Sequence, residues 1–464
     1  MTIELKRDLG LWSAAAIVVG TVIGSGIFLV PKAMILRVGS PEMVFVVWIL
    51  GGMLSLFGAL SYAELAAALP EAGGEYVFLR EAYGPMWSFL YGWTQLWVAK
   101  SGSIATLATA FFYYFANFFP DLEKVFFIVR LPLGPAGGPL EIRYGQLLSM
   151  ALILFLGWIN YFGVKLGGGV QVATTVVKVA LIFGIIAVGL SAQNADFANF
   201  RTSVPAAGGV AGFFAAMVAA LWAYDGWNNV SMVSSEIKQP KKNLPLALIW
   251  GTVAVIAIYL SANVAYFYVL KSQEVAASDR VAAEMMRRIL GAPGAGAVSV
   301  AAMISIFAAL NGSILAGSRV PYAMARDRYL FARLADVTPY YHTPGNSILV
   351  LSAWSAVLVL SGRYEQLFTY VIFASWILYG MTTAAVIVLR RSRPDLDRPY
   401  LTLGYPVVPV LFVAASFCLV FSTLLDSPRE SLLGLGIILL GLPFYFHWKR
   451  RRNGRVPGAG ERGA

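Results

Sequence analysis

Long apolar runs, separated by shorter polar stretches, cover most of this chain. The first extends from Leu9 to Val30. Others lie near 43–69, 85–119, 145–161, 169–191, 209–235, 244–270, 295–318, 347–361, 365–389, 406–425 and 431–447. Crossing a bilayer takes a helix of about 20 apolar residues. None of the runs shows the apolar–polar alternation of a membrane strand, and a backbone in lipid must satisfy its own polar groups. The pattern predicts an all-α polytopic membrane protein with twelve transmembrane helices. The first run follows Lys6 and Arg7, as in a signal peptide, but no small-residue cleavage pattern follows it, so it reads as a retained span. The connection 272–290 holds SDRVAAEMMRRIL. Ser278 reads there as an N-cap and Gly291 as a C-cap. Met285, Met286, Ile289 and Leu290 make the apolar face of a short helix over the outer mouth, although an ordinary interfacial helix would look the same.

Composition agrees with the pattern. Hydrophobic residues make up 58% of the 464 and charged residues 13%, about half the charged share of a soluble protein. Short loops leave no room for an inserted soluble domain. The single cysteine, Cys418, excludes an internal disulfide framework, and two histidines, His342 and His447, leave little for a histidine metal centre. No metal or cofactor is expected. The net charge of +11 needs no nucleic-acid partner, because cytoplasmic loops collect Lys and Arg. With the N-terminus inside, 21 of the 35 basic residues fall on inner segments and 12 on outer ones; Lys100 and Lys178 fall within spans. The dense clusters 390–398 and 449–455 are both inner. Both termini are therefore expected in the cytoplasm, the protein in the plasma (inner) membrane, and the basic tail against anionic lipid headgroups.

Two spans carry residues that do not suit a continuous helix. Span 1 contains Gly20-Thr-Val-Ile-Gly24-Ser25-Gly26-Ile-Phe28, and span 6 contains Leu221-Trp222-Ala223-Tyr224-Asp225-Gly226-Trp227-Asn228-Asn229. A glycine pattern alone can mean close helix packing, and a lone Asp225 can be a packed polar group. Together they are more informative. The breaks lie at about the same depth and five spans apart, so the two halves have opposite topology, as in an inverted-repeat transporter with its site at the midplane. Backbone of Gly24–Gly26 can hold a carboxylate at a half-helix N-terminus. Carbonyls near Val22–Ile23 and Trp222–Asp225 can hold an ammonium. A free amino acid carries both charges. Trp222 and Tyr224 can cover such a site.

Lys178 lies about nine residues from Gly169 in span 5, roughly 14 Å along a helix. That is long for a lysine reaching back to the interface, and an intramembrane cation is a functional candidate. Lys100 in span 3 is also mid-span, with no partner evident in the sequence. Glu64 and Glu236 lie near the inner face and are expected to pair with loop Arg or Lys.

At these residues the chain resembles the amino acid–polyamine–organocation superfamily, specifically its L-type amino-acid transporter branch. The likeness runs nearly end to end, through GTVIGSGIF (20–28), LWAYDGWNNV (221–230), SSEIKQPKKNLPLA (234–247), NVAYF (263–267), EVAASDRVA (274–282) and ALNGSILAGSRVPYAMARD (309–327). The resemblance implies a five-plus-five inverted-repeat core with broken helices 1 and 6. Residues 1–191 would form the first repeat, 192–400 the second, 401–450 the last two spans and 451–464 a basic tail. It also implies alternating access. In sodium-coupled relatives a sodium ion bridges spans 1 and 8, and a span 5 lysine replaces it in several sodium-independent members. Lys178 matches that position, with Gly20, Ile23 and Ser305 as its implied contacts. By the same likeness the substrate carboxylate goes to Ser25 and Gly26, beside Gly24. The ammonium goes to carbonyls of Val22, Ile23 and Trp222, Ala223, Tyr224 and Asp225. Trp222 gates the site, Asn228 and Tyr266 support it, and Ser313 nears the side-chain pocket.

Two departures stand out. Animal members join a glycoprotein heavy chain through a cysteine between spans 3 and 4; the loop 120–143 has none, so no disulfide-linked partner is expected, and a prokaryotic member working alone fits best. Asp225 stands where several members have a small or neutral residue. The expectation is a sodium-independent carrier of neutral L-amino acids, by exchange or proton coupling. Alternatives are a proton-coupled cationic amino-acid or polyamine carrier and, remotely, a membrane-embedded enzyme, for which no His/Asp/Cys cluster is present.

Overall fold

The computed structural model describes residues 4–129, 140–193, 195–206, 208–360, 364–426 and 428–453. Every apolar run falls on helix. The first span is α1 (Leu11–Val22) and α2 (Gly26–Val38), and α3 (Pro41–Ala68) follows, its N-terminus capped by the Ser40 hydroxyl. A short helix, α4 (Glu75–Tyr83), leads to α5 (Pro85–Thr94), which continues through a π turn at Gln95–Ala99 into α6 (Lys100–Phe115). Then come α7 (Tyr144–Tyr161), α8 (Val164–Leu190), and the second broken span, α9 (Gly209–Tyr224) and α10 (Asn229–Met232). The remainder is α11 (Pro240–Val269), the short α12 (Ser272–Ala277), α13 (Val281–Gly317), α14 (Arg319–Arg326), α15 (Gly345–Val359), α16 (Tyr364–Ser392), α17 (Val407–Asp426) and α18 (Pro428–Asn453). Among the described residues nine helical stretches are long and apolar enough to cross a membrane, and α9 and α15 are shorter apolar helices.

The packing pairs elements five spans apart: α2 with α9, α3 with α11, α6 with α13, and α7 with α15. The centre of the bundle holds the broken first span and α13. In the most apolar window of each stretch, 78% of Leu11–Val38 and of Val281–Arg326 is buried, against 22% for Val407–Leu425. α17 lies against α16, α3 and α9, and α18 against α5 and α16, outside that centre. The chain ahead of α1 is tied down as well. Leu9 bridges in parallel to Ile237, through Leu9 N–H to Glu236 O at 3.0 Å and Lys238 N–H to Leu9 O at 2.8 Å.

Glu64 and Glu236 pair with arginines, as expected, but from helices α16 and α14 and not from loops. Glu64 accepts from Arg390 at 2.8 and 2.7 Å and from the Thr402 N–H at 2.7 Å. Glu236 takes a two-pronged bond from Arg319 at 2.7 and 2.9 Å, with both side chains fully buried.

Three details differ from the sequence reading. The loop after α6 contains a small antiparallel hairpin, β1 (Val125–Val129) with β2 (Leu140–Arg143), so the chain is not purely helical. The helix over 281–290 is flanked by Arg280, whose N–H the Ser278 hydroxyl accepts at 3.2 Å. At its other end Gly291 leaves helical geometry (φ +73°, ψ −158°) and divides the short helix from the span that follows, as the sequence reading of a C-cap there expects. Its buried face includes Ala282, Met285 and Met286, while Leu290 is 53% exposed and does not belong to it. Residues 454–464 of the basic tail and 130–139 of the cysteine-free loop lie outside the described residues.

Candidate functional site

The helical backbone stops where the glycines stand. Ile23 is extended (ψ 90°) and α2 restarts at Gly26; Asp225 is extended (ψ 144°) and Gly226 takes φ +107°. Only glycine adopts that φ without strain. A Cβ on Gly26 would stand 2.7 Å from the Ala223 Cβ and 2.8 Å from its Cα, so α2 and α9 touch backbone to side chain here. The Thr21 hydroxyl donates to Gly226 O at 2.8 Å. The Tyr259 hydroxyl lies 3.0 Å from Val22 O and 2.8 Å from Ala223 O, one carbonyl from each break. Freed carbonyls thus find side-chain partners, which lipid could not supply.

Lys178 reaches into this region from α8. Its Nζ donates to Gly20 O at 2.7 Å and Ile23 O at 2.5 Å, with Ser305 O at 3.4 Å, and the residue is fully buried. The ammonium points inward and does not reach back to the interface. Ser305 adds its own hydroxyl to Ile23 O (3.0 Å) and Gly24 O (3.2 Å). A buried cation is tolerable only where acceptors replace its water, and here they come from α1 and α13 together.

Beside the breaks is a narrow cavity of about 30 Å³ measured for water centres, room for roughly two waters. From the two breaks its lining includes Val22, Gly24, Ser25, Gly26, Trp222, Ala223, Asp225 and Gly226. Lys100, Ser103 and Leu107 of α6, Asn229 of α10 and Ser313 of α13 also line it. So the cavity brings together Val22, Gly24, Ser25, Gly26, Trp222, Ala223, Asp225 and Ser313 from the sequence reading. It leaves out others. The Ile23 carbonyl is occupied by Lys178 and Ser305, so it is not turned to the cavity. Tyr224 sends its hydroxyl to Trp48 O. The Asn228 amide donates to Glu75, and its neighbour Asn229 lines the cavity instead. Tyr266 is buried but absent from the wall; Tyr259, two turns away on the same helix, is the tyrosine that bonds the breaks.

Sequence reasoning also passed over Glu75, the first residue of α4. It is fully buried and accepts from Tyr91 at 2.7 Å, from Tyr62 at 3.4 Å and from Asn228. Asp225 accepts from the Tyr379 hydroxyl at 2.8 Å. Lys100 donates to Asn229 Oδ1 at 2.6 Å and feels the charges of both Asp225 and Glu75. The only sequence sign of Glu75 was an acid directly after Gly73-Gly74 and ahead of the apolar Tyr76–Leu79.

The arrangement presents helix-end N–H groups beside helix-end carbonyls within one cavity, which suits a small zwitterion. Comparison with known proteins agrees. The family described as "Amino acid permease" matches residues 9–436. The serine/threonine exchanger SteT of Bacillus subtilis (strain 168) is 34% identical, across 97% of this chain and 98% of that protein. The human b(0,+)-type amino acid transporter 1 is 34% identical, across 97% and 90%. The human large neutral amino acids transporter small subunit 2 is 34% identical, across 97% and 82%.

Proposed function

Because the chain belongs to the amino acid permease family, a family of transporters and not enzymes, we propose that it exchanges neutral L-amino acids across the membrane without sodium, by alternating access. The observation that carries this is the Lys178 ammonium between Gly20 O and Ile23 O, with Ser305 beside it. In sodium-coupled relatives a bound cation joins these two spans; here the chain carries its own cation, so none need be bound. The substrate carboxylate meets the N–H groups at Ser25 and Gly26, and its ammonium meets the Val22 and Ala223 carbonyls, which share the single Tyr259 hydroxyl proton and keep lone pairs free. Trp222, in the cavity wall, covers the substrate.

Residues 1–191 and 192–400 are the two inverted repeats of this reading, supported by the paired breaks and by helices packing five spans apart. Both termini lie in the cytoplasm, as the basic clusters favour. Exchange is favoured over proton coupling by the Bacillus subtilis relative, which is described as an exchanger. Neutral substrates are favoured over cationic ones because the Tyr379 hydroxyl already engages the Asp225 carboxylate.

Uptake of labelled L-amino acids into liposomes holding the purified protein, in sodium-free buffer, tests the proposal. Uptake confined to vesicles preloaded with unlabelled amino acid is expected. Uptake into empty vesicles that rises with an inward proton gradient would overturn exchange, and an absolute need for sodium would overturn the role of Lys178.

A further inference from the structure

One charged residue of the cavity wall, Lys100, has no part in that scheme. Lys100 is 6% exposed, yet its Nζ has one hydrogen-bond acceptor among the described residues, Asn229 Oδ1. An ammonium carries three donors. The position is built with care. The π turn at Gln95–Ala99 ends at Lys100, and such turns recur at functional sites. The lysine stem lies over Gly317, where a Cβ would stand 2.5 Å from the Lys100 Cγ. A buried cation with donors to spare, aimed into a cavity, points to a ligand atom that accepts.

We propose that Lys100 is a specificity-determining residue that donates to the substrate side chain and selects uncharged side chains bearing an acceptor, a hydroxyl foremost. The proposal rests on the transport reading above. Backbone of the two breaks takes the α-carboxylate and α-ammonium, so the side chain turns to the rest of the lining, where Lys100, Asn229, Ser103 and Ser313 are polar groups. A cationic side chain meets the Lys100 ammonium. An anionic one meets the Asp225 carboxylate in the same lining. A hydroxyl accepts from Lys100 and adds no net charge.

The test is exchange into liposomes with a size-matched series: alanine, serine, 2,3-diaminopropionate and aspartate. Wild-type protein should favour serine over alanine by roughly tenfold to a hundredfold in KM, the range of one hydrogen bond to a charged group, and should reject diaminopropionate. Lys100→Met should raise the serine KM by that factor, move the alanine KM far less, and admit diaminopropionate; Lys100→Arg should keep the serine preference. Equal losses for serine and alanine in Lys100→Met would make the lysine a structural prop and overturn the proposal. So would wild-type protein that does not prefer serine, a measurement that holds even if Lys100→Met fails to fold. If wild-type protein exchanges none of the four, alanine included, and no other amino acid either, the transport reading itself fails.

Discussion

The Thr21 hydroxyl bonds the Gly226 carbonyl across 2.8 Å, so one broken span is fastened to the other at the level of the cavity. Both residues are buried. Thr21→Val keeps the shape and deletes the donor, leaving a buried carbonyl short of a partner at a cost of about 1–3 kcal/mol. A lower melting midpoint in detergent is expected, with Thr21→Ser retaining most of the wild-type value. Identical midpoints for Thr21→Val and wild type would remove the bond from the list of stabilising contacts.

Lys178→Ala removes the cation that joins α1 to α13 around Gly20, Ile23 and Ser305. Exchange should fall by about two orders of magnitude or more, the loss expected when an interaction of roughly 3 kcal/mol or more is absent from the access cycle. Substrate-induced thermal stabilisation should fall much less, because Lys178 is not in the cavity wall. Wild-type exchange rates in this variant would dismiss the assignment.

Tyr259→Phe strips a shared donor from Val22 O and Ala223 O. Its KM for neutral amino acids should rise by about five- to tenfold, the effect of roughly 1 kcal/mol. Tyr266→Phe, two turns farther along α11 and outside the cavity wall, should stay within about twofold. Kinetics of the two variants side by side decide between the tyrosines.

Glu236→Gln leaves the Arg319 guanidinium buried without its counter-charge. Breaking one side of such a pair costs about 3–5 kcal/mol, so poor recovery of folded protein on size exclusion is expected. The double variant Glu236→Gln with Arg319→Met should recover part of the loss. A double variant worse than either single one would contradict that account.

Gly26→Ala places a methyl 2.7 Å from the Ala223 Cβ, well inside contact distance. Exchange should be nearly abolished, and pairing it with Ala223→Gly should restore a measurable fraction. Full activity in Gly26→Ala alone would mean that α2 and α9 separate more readily than their packing implies.

Much of this architecture is readable before any coordinates. Apolar runs locate helices because lipid forbids unpaired backbone, and GTVIGSGIF with YDGWNN marks the breaks because glycine and short polar side chains interrupt helices. The depth of Lys178 in its span singled it out. Other features depend on tertiary placement. Glu75 looks like a loop acid, and its burial follows only from α4 turning inward beneath Asn228, Tyr62 and Tyr91. Tyr259 and Tyr266 are seven residues apart on one helix and share a face, so periodicity cannot choose between their depths. Ile23 and Val22 differ by one position, yet the unwound backbone turns one carbonyl to Lys178 and the other to Tyr259. The strands β1 and β2 were hidden because 120–143 reads as a loop, with VFFIV too short an apolar run to suggest an element of its own.

The turn at Gln95–Ala99 also bears on how this chain is compared with its relatives. A π turn holds one residue more than the α turn it replaces, and one residue rotates all that follows by about 100°. Deleting a single position in 95–99 would swing Lys100, Ser103 and Leu107 off the cavity together, although each would keep its neighbours in the chain. An alignment that passes through span 3 without a gap, against a relative lacking the turn, would pair residues of unlike outlook. Equivalence there is set by angle about the helix axis and not by order along the chain.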